Sequence, residues 1–386
     1  MYKRFMMNEL LELAKSYPVV TLLGPRQSGK TTLVKLAFPS KPYVNLEAID
    51  IREIAKLDPR GFLNQYPNGA ILDEIQRAPE LLSYIQVIVD ENPSKGLYIL
   101  TGSHQVELQQ AVSQSLAGRT ALLQLLPMSL EELNNANIEI SLDEALIKGG
   151  YPRIFKDNLD PTKAYRSYFQ TYVERDLRQL INIKNISQFQ RFVHICAGRI
   201  GQILNLEGIG GDVGVSSHTI KEWMSILESS FIIFRLLPYY ENFGKRLIKS
   251  PKLYFTDVGL ASYLLGIENT TQMARDPLRG SLVENLVILE LIKYRLNQGK
   301  DSQLYYFRDA HGHEIDVIFQ TGSKLIPIEI KAAATFNKSF LKNLNFFEKL
   351  VGERCTYSAL IYAGEQQQLI GKCKLLPYTH ATKILN

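Results

Sequence analysis

The sequence predicts an α/β protein that opens on a parallel sheet, passes through a helical middle and ends in a second α/β domain. Three stretches predict it. "YPVVTLLGPRQSGKTTLVKLAF" is an apolar strand, a Gly-bounded loop and a helix, and "GAILDEIQRAP" is an apolar strand ending in acids. "KLIPIEIKAA" is a strand that puts Ile326, Ile328 and Ile330 on one face and Glu329 with Lys331 on the other. At 386 residues the chain is too long for one core, and two or three domains are expected.

Composition narrows the class. Hydrophobic content of 45% and charged content of 22% are ordinary for a globular protein. The longest apolar run, "FIIFRLL", is too short to span a membrane and is interrupted by Arg235. At the N-terminus, Asn8, Glu9 and Glu12 break any signal-peptide apolar region, so a cytoplasmic location and no membrane partner are expected. Cys196, Cys355 and Cys373 are scattered, with neither metal spacing nor a disulfide framework. A net charge of +5 permits nucleic-acid binding without arguing for it.

The first loop fits G-x-x-x-x-G-K-[ST] over Gly24, Pro25, Arg26, Gln27, Ser28, Gly29, Lys30 and Thr31, with Thr32 following. Glycines let backbone N–H groups turn inward around phosphates, and the following helix N-terminus favours anions. Lys30 is expected on the β/γ-phosphates of ATP and the Thr31 hydroxyl on Mg2+. After Ile71 and Leu72, Asp73 is placed to hold the Mg2+ shell and Glu74 to orient or deprotonate the attacking water. "GLYILTGSHQ" is a third strand, whose Ser103, or else Thr101, is a candidate γ-phosphate sensor. Arg119, in "LAGRT", is either an arginine finger or an ordinary surface charge.

With these motifs in place, "GPRQSGKTTL", "LDEIQR", "LTGS", "SLAGR", "GGYPRIF" and "YVERDL" resemble the prokaryotic AAA-type ATPases that carry a C-terminal domain of uncharacterised function. The resemblance implies a P-loop NTPase sheet with an extra strand and a catalytic glutamate. It also implies that a neighbouring copy, in a homo-oligomer formed through the ATPase domain, can complete the site with an arginine.

In the middle of the chain, Tyr165, Tyr168, Phe169, Tyr172 and Val173 share one helical side and are expected as a packed face rather than a base-stacking surface. Arg175 and Asp176 read as an ion pair near the nucleotide lid. Further on, Ser216 or Ser217 caps "HTIKEWMSIL", with Ile220, Trp223, Met224 and Leu227 at apolar spacing. A β-like run and basic "GKRLIKSPK" follow, which is the winged-helix order. His218, Thr219, Lys221 and Glu222 are then expected on the exposed side of a recognition helix. Lys245, Arg246, Lys249 and Lys252 are expected to touch DNA phosphates from the wing.

The last third supplies a second acid set. "YYFRDAHGHEIDVIF" as a strand sends Glu314 and Asp316 to one face, and Glu284 falls in line with Ile288 and Leu291 on a buried helix face. A helix, three strands carrying D…ExK, a helix and the strand "YSALIYAG" resemble the PD-(D/E)xK nucleases, and the E…D…ExK set is similar to that of Holliday-junction resolvases. The resemblance implies Mg2+ (or Mn2+) on Asp316, Glu329 and Glu284, with Lys331 orienting or activating the water. The alternative is a structural ion pair in a nuclease-like domain that cuts nothing.

The expected organisation is therefore residues 1–132 as ATPase core, 133–185 as helical lid or connector, 186–255 as winged-helix-like domain and 256–386 as restriction-endonuclease-like domain. The expected function is ATP binding and hydrolysis with DNA binding and metal-dependent DNA cleavage. Its alternative is an ATP-driven switch or DNA-binding regulator with an inactive nuclease-like domain.

Overall fold

The computed structural model describes residues 2–103, 115–176, 185–240 and 249–385, with residues 174–176 described by backbone alone. The chain divides into two compact units. The first comprises Met1–Met128, Ser229–Phe231 and Arg295–Lys300; the second comprises Ser129–Glu228, Ile232–Tyr294 and Asp301–Asn386.

In the first unit the described strands are β1 (Val19–Leu23), β2 (Tyr43–Asn45), β3 (Ile71–Asp73), β4 (Tyr98–Gly102) and β5 (Thr120–Gln124). They form one all-parallel sheet in the order β2-β3-β4-β1-β5. Every residue of β1 and of β4 is buried, as a parallel strand covered on both faces requires. The helices Met6–Ser16 and Lys30–Ala37 contribute Met6, Leu10, Leu33 and Val34 to a core with Val20, Leu22, Ile71 and Ile99. Because β1, β3 and β4 run the same way, Leu23, Asp73 and Gly102 end on one edge. The loop from Gly24 to Gly29, Glu74 and Ser103 each follow one of those three ends.

The second unit begins with helices Leu130–Asn135 and Leu142–Lys148, each opened by a Ser/Glu capping box. Tyr165, Tyr168, Phe169, Tyr172 and Val173 are all buried, as a packed face should be. Tyr165 donates to the buried Asp257 carboxylate at 2.6 Å, and the Gly150 N–H donates to the same carboxylate at 2.8 Å. The side chains of Arg175 and Asp176 lie outside the described residues.

Helices Ile186–Ala197, Leu206–Val213 and Ser217–Ser229 come next, followed by the antiparallel pair β6 (Ile233–Leu236) and β7 (Lys252–Phe255). Of the two serines, Ser216 caps the third helix, accepting from the Thr219 N–H at 3.1 Å. Ile220, Trp223, Met224 and Leu227 are buried, whereas His218, Lys221 and Glu222 are exposed and Thr219 is half-buried. Lys245 and Arg246 lie outside the described residues, and Lys249 is exposed.

Lys252 departs from expectation. It is 2% exposed and ion-paired, so it is not a surface cation available to phosphates. The reason is strand alternation: Lys252 and Tyr254 share the face of β7 whose side chains bond Glu284, on helix Arg279–Leu296.

The remaining strands are β8 (Leu304–Arg308), β9 (Glu314–Thr321), β10 (Lys324–Lys331), β11 (Ser358–Tyr362), β12 (Gln368–Ile370) and β13 (Cys373–Pro377). Their order is β12-β13-β11-β10-β9-β8, antiparallel from β8 to β10 and parallel from β10 through β11 to β13. Gly322, at φ 57°, opens the two-residue turn between β9 and β10. Helix Lys342–Val351 makes the crossover to β11 and places Leu344 and Phe347 on Phe307, Ile318 and Leu360.

Asn285 ties helix Arg279–Leu296 to β7. Its side chain accepts from the Phe255 N–H and donates to the Phe255 carbonyl, both at 2.8 Å, standing in for a strand neighbour. Asn285 is fully buried, so Asn285→Leu leaves both Phe255 groups unpaired. Urea denaturation should show a loss of about 2–4 kcal/mol; a loss below the error of the extrapolation would mean the bracket is dispensable.

Candidate functional site

In the first unit, the loop from Gly24 to Gly29 leaves β1 with Gly24, Gln27 and Gly29 at positive φ (153°, 64° and 94°). Arg4 supports it from below, donating to the Ser28 carbonyl at 2.7 Å and to the Leu126 carbonyl at 2.6 Å. Lys30 is buried and donates to the carbonyls of Gly24 and Pro25, each at 2.9 Å. Burial lowers the Lys30 ammonium to about 8, against the pull of Glu74 and Asp73. Ser28 Oγ is buried in the same loop with no hydrogen-bond partner. Arg26 pairs with Glu47 at 2.5 Å, and Thr32 is exposed on the helix.

Asp73 is the hub. Its Oδ2 accepts from the Thr31 hydroxyl at 2.9 Å and from the Tyr43 hydroxyl at 2.6 Å, and its Oδ1 accepts from Thr101. All three donors are neutral hydroxyls that leave the carboxylate charge in place. The donor set therefore fits a hard cation held by Thr31 and Asp73.

The next residue, Glu74, sits in the left-handed region at φ 58° and ψ 47°. A non-glycine there costs about 1–3 kcal/mol and persists only where its surroundings impose it. Here Ser103 Oγ donates to Glu74 Oε2 at 2.9 Å and Gln76 Nε2 donates to the same oxygen. Of the two sensor candidates, Ser103 thus bonds Glu74 and Thr101 bonds Asp73.

Arg119 is not brought to this edge. It precedes β5, and its partner across the ladder is near Val19 at the start of β1, whereas the loop follows Leu23. Five strand residues, about 16 Å, separate the two ends. Its guanidinium instead grips Asp90, at 2.5 and 2.8 Å.

The second unit gathers four carboxylates around two lysines. Beyond the last paired residues of β9 and β10, Val317 and Ile328, the Ile330 N–H donates to Asp316 Oδ2 at 2.8 Å. Lys331 Nζ lies 2.6 Å from Glu329 Oε1 and 3.8 Å from Asp316 Oδ2. On the other side, Lys252 Nζ lies 3.0 Å from Glu284 Oε1 and 2.5 Å from Glu314 Oε1, and the Tyr254 hydroxyl donates to Glu284 Oε1 at 2.5 Å.

Charge explains the titration behaviour. Burial and the neighbouring Asp316 push both Glu284 and Glu329 up, more than Lys252, Tyr254 and Lys331 pull them down. For Lys252, burial lowers the ammonium, but Glu284, Asp316 and Glu314 reverse that and hold it above the ordinary lysine range.

Glu329 Oε2 is buried with no hydrogen-bond partner. An all-oxygen, over-acidic cluster with an orphaned carboxylate oxygen fits a hard divalent cation in chemistry and charge. Among the described residues, however, no group of three or more acid, histidine or cysteine side chains is spaced to hold one, and the lysines stand between the acids. His313 pairs with Asp309 at 3.0 Å and stacks on Phe346.

Sequence reasoning passed over Tyr43, Gln76 and Tyr254, and it placed Lys252 on a phosphate-contacting wing. No local pattern marks them, because each meets its acid through the fold. The available signal was Glu284 itself, a carboxylate on a buried face that had to find a cation or donor.

Residues 16–134 match the model of the AAA domain family. Residues 139–271 and 279–381 match two domains of unknown function, DUF8612 and DUF4143. Uncharacterised proteins of Mycobacterium tuberculosis and Mycobacterium bovis are each 29% identical over 353 residues, covering 91% of this chain and 77% of theirs. One from Haemophilus influenzae is 22% identical over 363 residues, covering 84% of this chain and 85% of its own. Among solved structures, a Walker-type ATPase of Pyrococcus abyssi has a TM-score of 0.47 at 15% identity, over 69% of this chain and 96% of that one. AMPPCP-bound DnaA from Aquifex aeolicus has a TM-score of 0.31 at 17% identity, over 57% of this chain and 85% of that one. No described helix is long and apolar enough to cross a membrane.

Proposed function

We propose that this chain is a Mg2+-dependent ATPase whose second unit engages DNA. The observation that carries the ATPase reading is the closure of the phosphate loop on β3: Thr31 bonds Asp73 at 2.9 Å, and Glu74 is the next residue. Gly24 to Gly29 supply backbone N–H groups to the phosphates and Lys30 a cation. Thr31 and Asp73 would hold Mg2+, which would neutralise charge on the phosphates. Glu74 orients the attacking water and takes its proton, steadied by Ser103 and Gln76. Arg119, at the far end of β5, serves only a nucleotide on a neighbouring copy, which makes the finger role one for a homo-oligomer.

A second reading concerns residues 256–386 as a restriction-endonuclease-like domain, following a helical connector (133–185) and a winged-helix-like segment (186–255). The bridging of Asp316 and Glu329 by Lys331, beside the unpartnered Glu329 oxygen, favours metal-dependent phosphodiester cleavage. Glu284, Asp316 and Glu329 would hold Mg2+ or Mn2+, which would supply an activated water and neutralise charge on the phosphate. Lys331 positions that water, and His218 and Lys221 lie on the exposed helix face offered to DNA.

Glu74→Gln should bind ATP within a few-fold of wild type and hydrolyse it roughly a hundredfold or more slowly; unimpaired phosphate release would remove Glu74 from the chemistry. For the second unit, duplex, single-stranded and branched DNA are incubated with Mg2+ or Mn2+, with and without ATP. Cleavage that vanishes in Asp316→Ala/Lys331→Ala supports the nuclease reading. No cleavage of any substrate, with hydrolysis of ATP intact, leaves an ATP-driven switch with an inactive nuclease-like domain.

A further inference from the structure

Lys252 is an unusual member of the acid cluster. Lys331, the lysine of E-x-K, is partly exposed and sits at the end of its strand, whereas Lys252 is 2% exposed and comes from β7, outside the six-stranded sheet. Its backbone is fixed on two sides, paired with Leu236 of β6 and bridged to Ile203. The buried Tyr306 ring lies 5.6 Å from the ammonium. An ammonium is buried this deeply only where anions compensate its lost hydration. The compensation here is Glu284 at 3.0 Å and Glu314 at 2.5 Å, and Glu284 is one of the three carboxylates assigned to metal.

We propose that Lys252 is the resident counter-ion of the Glu284–Asp316–Glu329 cluster and holds it closed to divalent cations, so that metal enters only when the ammonium withdraws from Glu284. The inference rests on the metal-site reading of that cluster and adds its control. Two observations carry it together. Lys252 already neutralises one of the three carboxylates, and the opposite side of the cluster retains an orphaned oxygen, Glu329 Oε2. Four carboxylates (Glu284, Glu314, Asp316 and Glu329) face three cations (Lys252, Lys331 and Arg308), so the cluster is one positive charge short, yet the cation it holds on the Glu284 side is one that repels a second. Because Lys252 belongs to the β6–β7 pair and the acids to the helix and the six-stranded sheet, the position of β7 sets the metal affinity of the cluster. Glu314 is the retaining partner: it bonds Lys252 and Arg308 but is outside the ligand set, so it can be changed without touching the carboxylates assigned to metal.

The test is calorimetric titration of Mn2+ into the full-length, nucleotide-free chain, comparing wild type with Lys252→Met and Glu314→Gln. Asp316→Asn identifies the binding that belongs to this cluster, since the first unit keeps its own cation ligands. Lys252→Met keeps the side-chain length without the charge; Glu314→Gln, at a partly exposed site, decides the matter if Lys252→Met does not fold by circular dichroism. The expected result is Asp316-dependent Mn2+ binding tighter than wild type by roughly tenfold or more in Lys252→Met, and shifted the same way in Glu314→Gln. Wild type binding as tightly as both variants overturns the proposal while leaving the metal site standing. No Asp316-dependent binding in any variant removes the metal reading, and this inference with it.

Discussion

A carboxylate taken out of water must be given donors or a cation, and the two chemical centres of this chain are two answers to that constraint. At Asp73 the answer is neutral: hydroxyls from Thr31, Tyr43 and Thr101 satisfy the oxygens while the charge stays. At the acid cluster of the second unit it is ionic, with Lys252 and Lys331 set among Glu284, Glu314, Asp316 and Glu329. The first arrangement fits a cation at the edge of the sheet. The second is already part-filled by the chain itself.

The fold supplies each answer by strand direction. In the first unit, parallel strands bring the ends of β1, β3 and β4 together, so three distant segments meet without a dedicated element. The strained backbone of Glu74 then turns its side chain toward Ser103 and Gln76 at that edge. In the second unit, alternation along β7 turns Lys252 and Tyr254 to Glu284, and the end of the β9–β10 ladder leaves Asp316 to meet the Ile330 N–H. One geometric rule, side chains alternating every residue, thus decides both which charges are buried and which partners they find.

What the sequence made legible was local. The phosphate loop is a contiguous pattern with a strand before it and a helix after it, and Asp73 and Glu74 follow an apolar strand end. The face Tyr165, Tyr168, Phe169 and Tyr172 was readable because helical periodicity marks burial directly. Lys252 was not readable, because it closes the basic stretch "GKRLIKSPK", where a lysine reads as solvated, and the acid that draws Lys252 inward lies 32 residues away. Tyr43 escaped for the same reason, since its partner is brought by pairing of β2 with β3 rather than by spacing. Arg119 shows the converse: a suggestive local context, "LAGRT", whose strand begins at the wrong end of the sheet.

The measurement that tests this account most directly is anomalous diffraction from wild-type crystals grown with Mn2+ and a non-hydrolysable ATP analogue. The account predicts a manganese peak at Thr31 and Asp73 against the phosphates. It predicts none of comparable occupancy among Glu284, Asp316 and Glu329 while Lys252 remains on Glu284. A fully occupied ion in that cluster beside an undisplaced Lys252, or no manganese at Asp73, would contradict it.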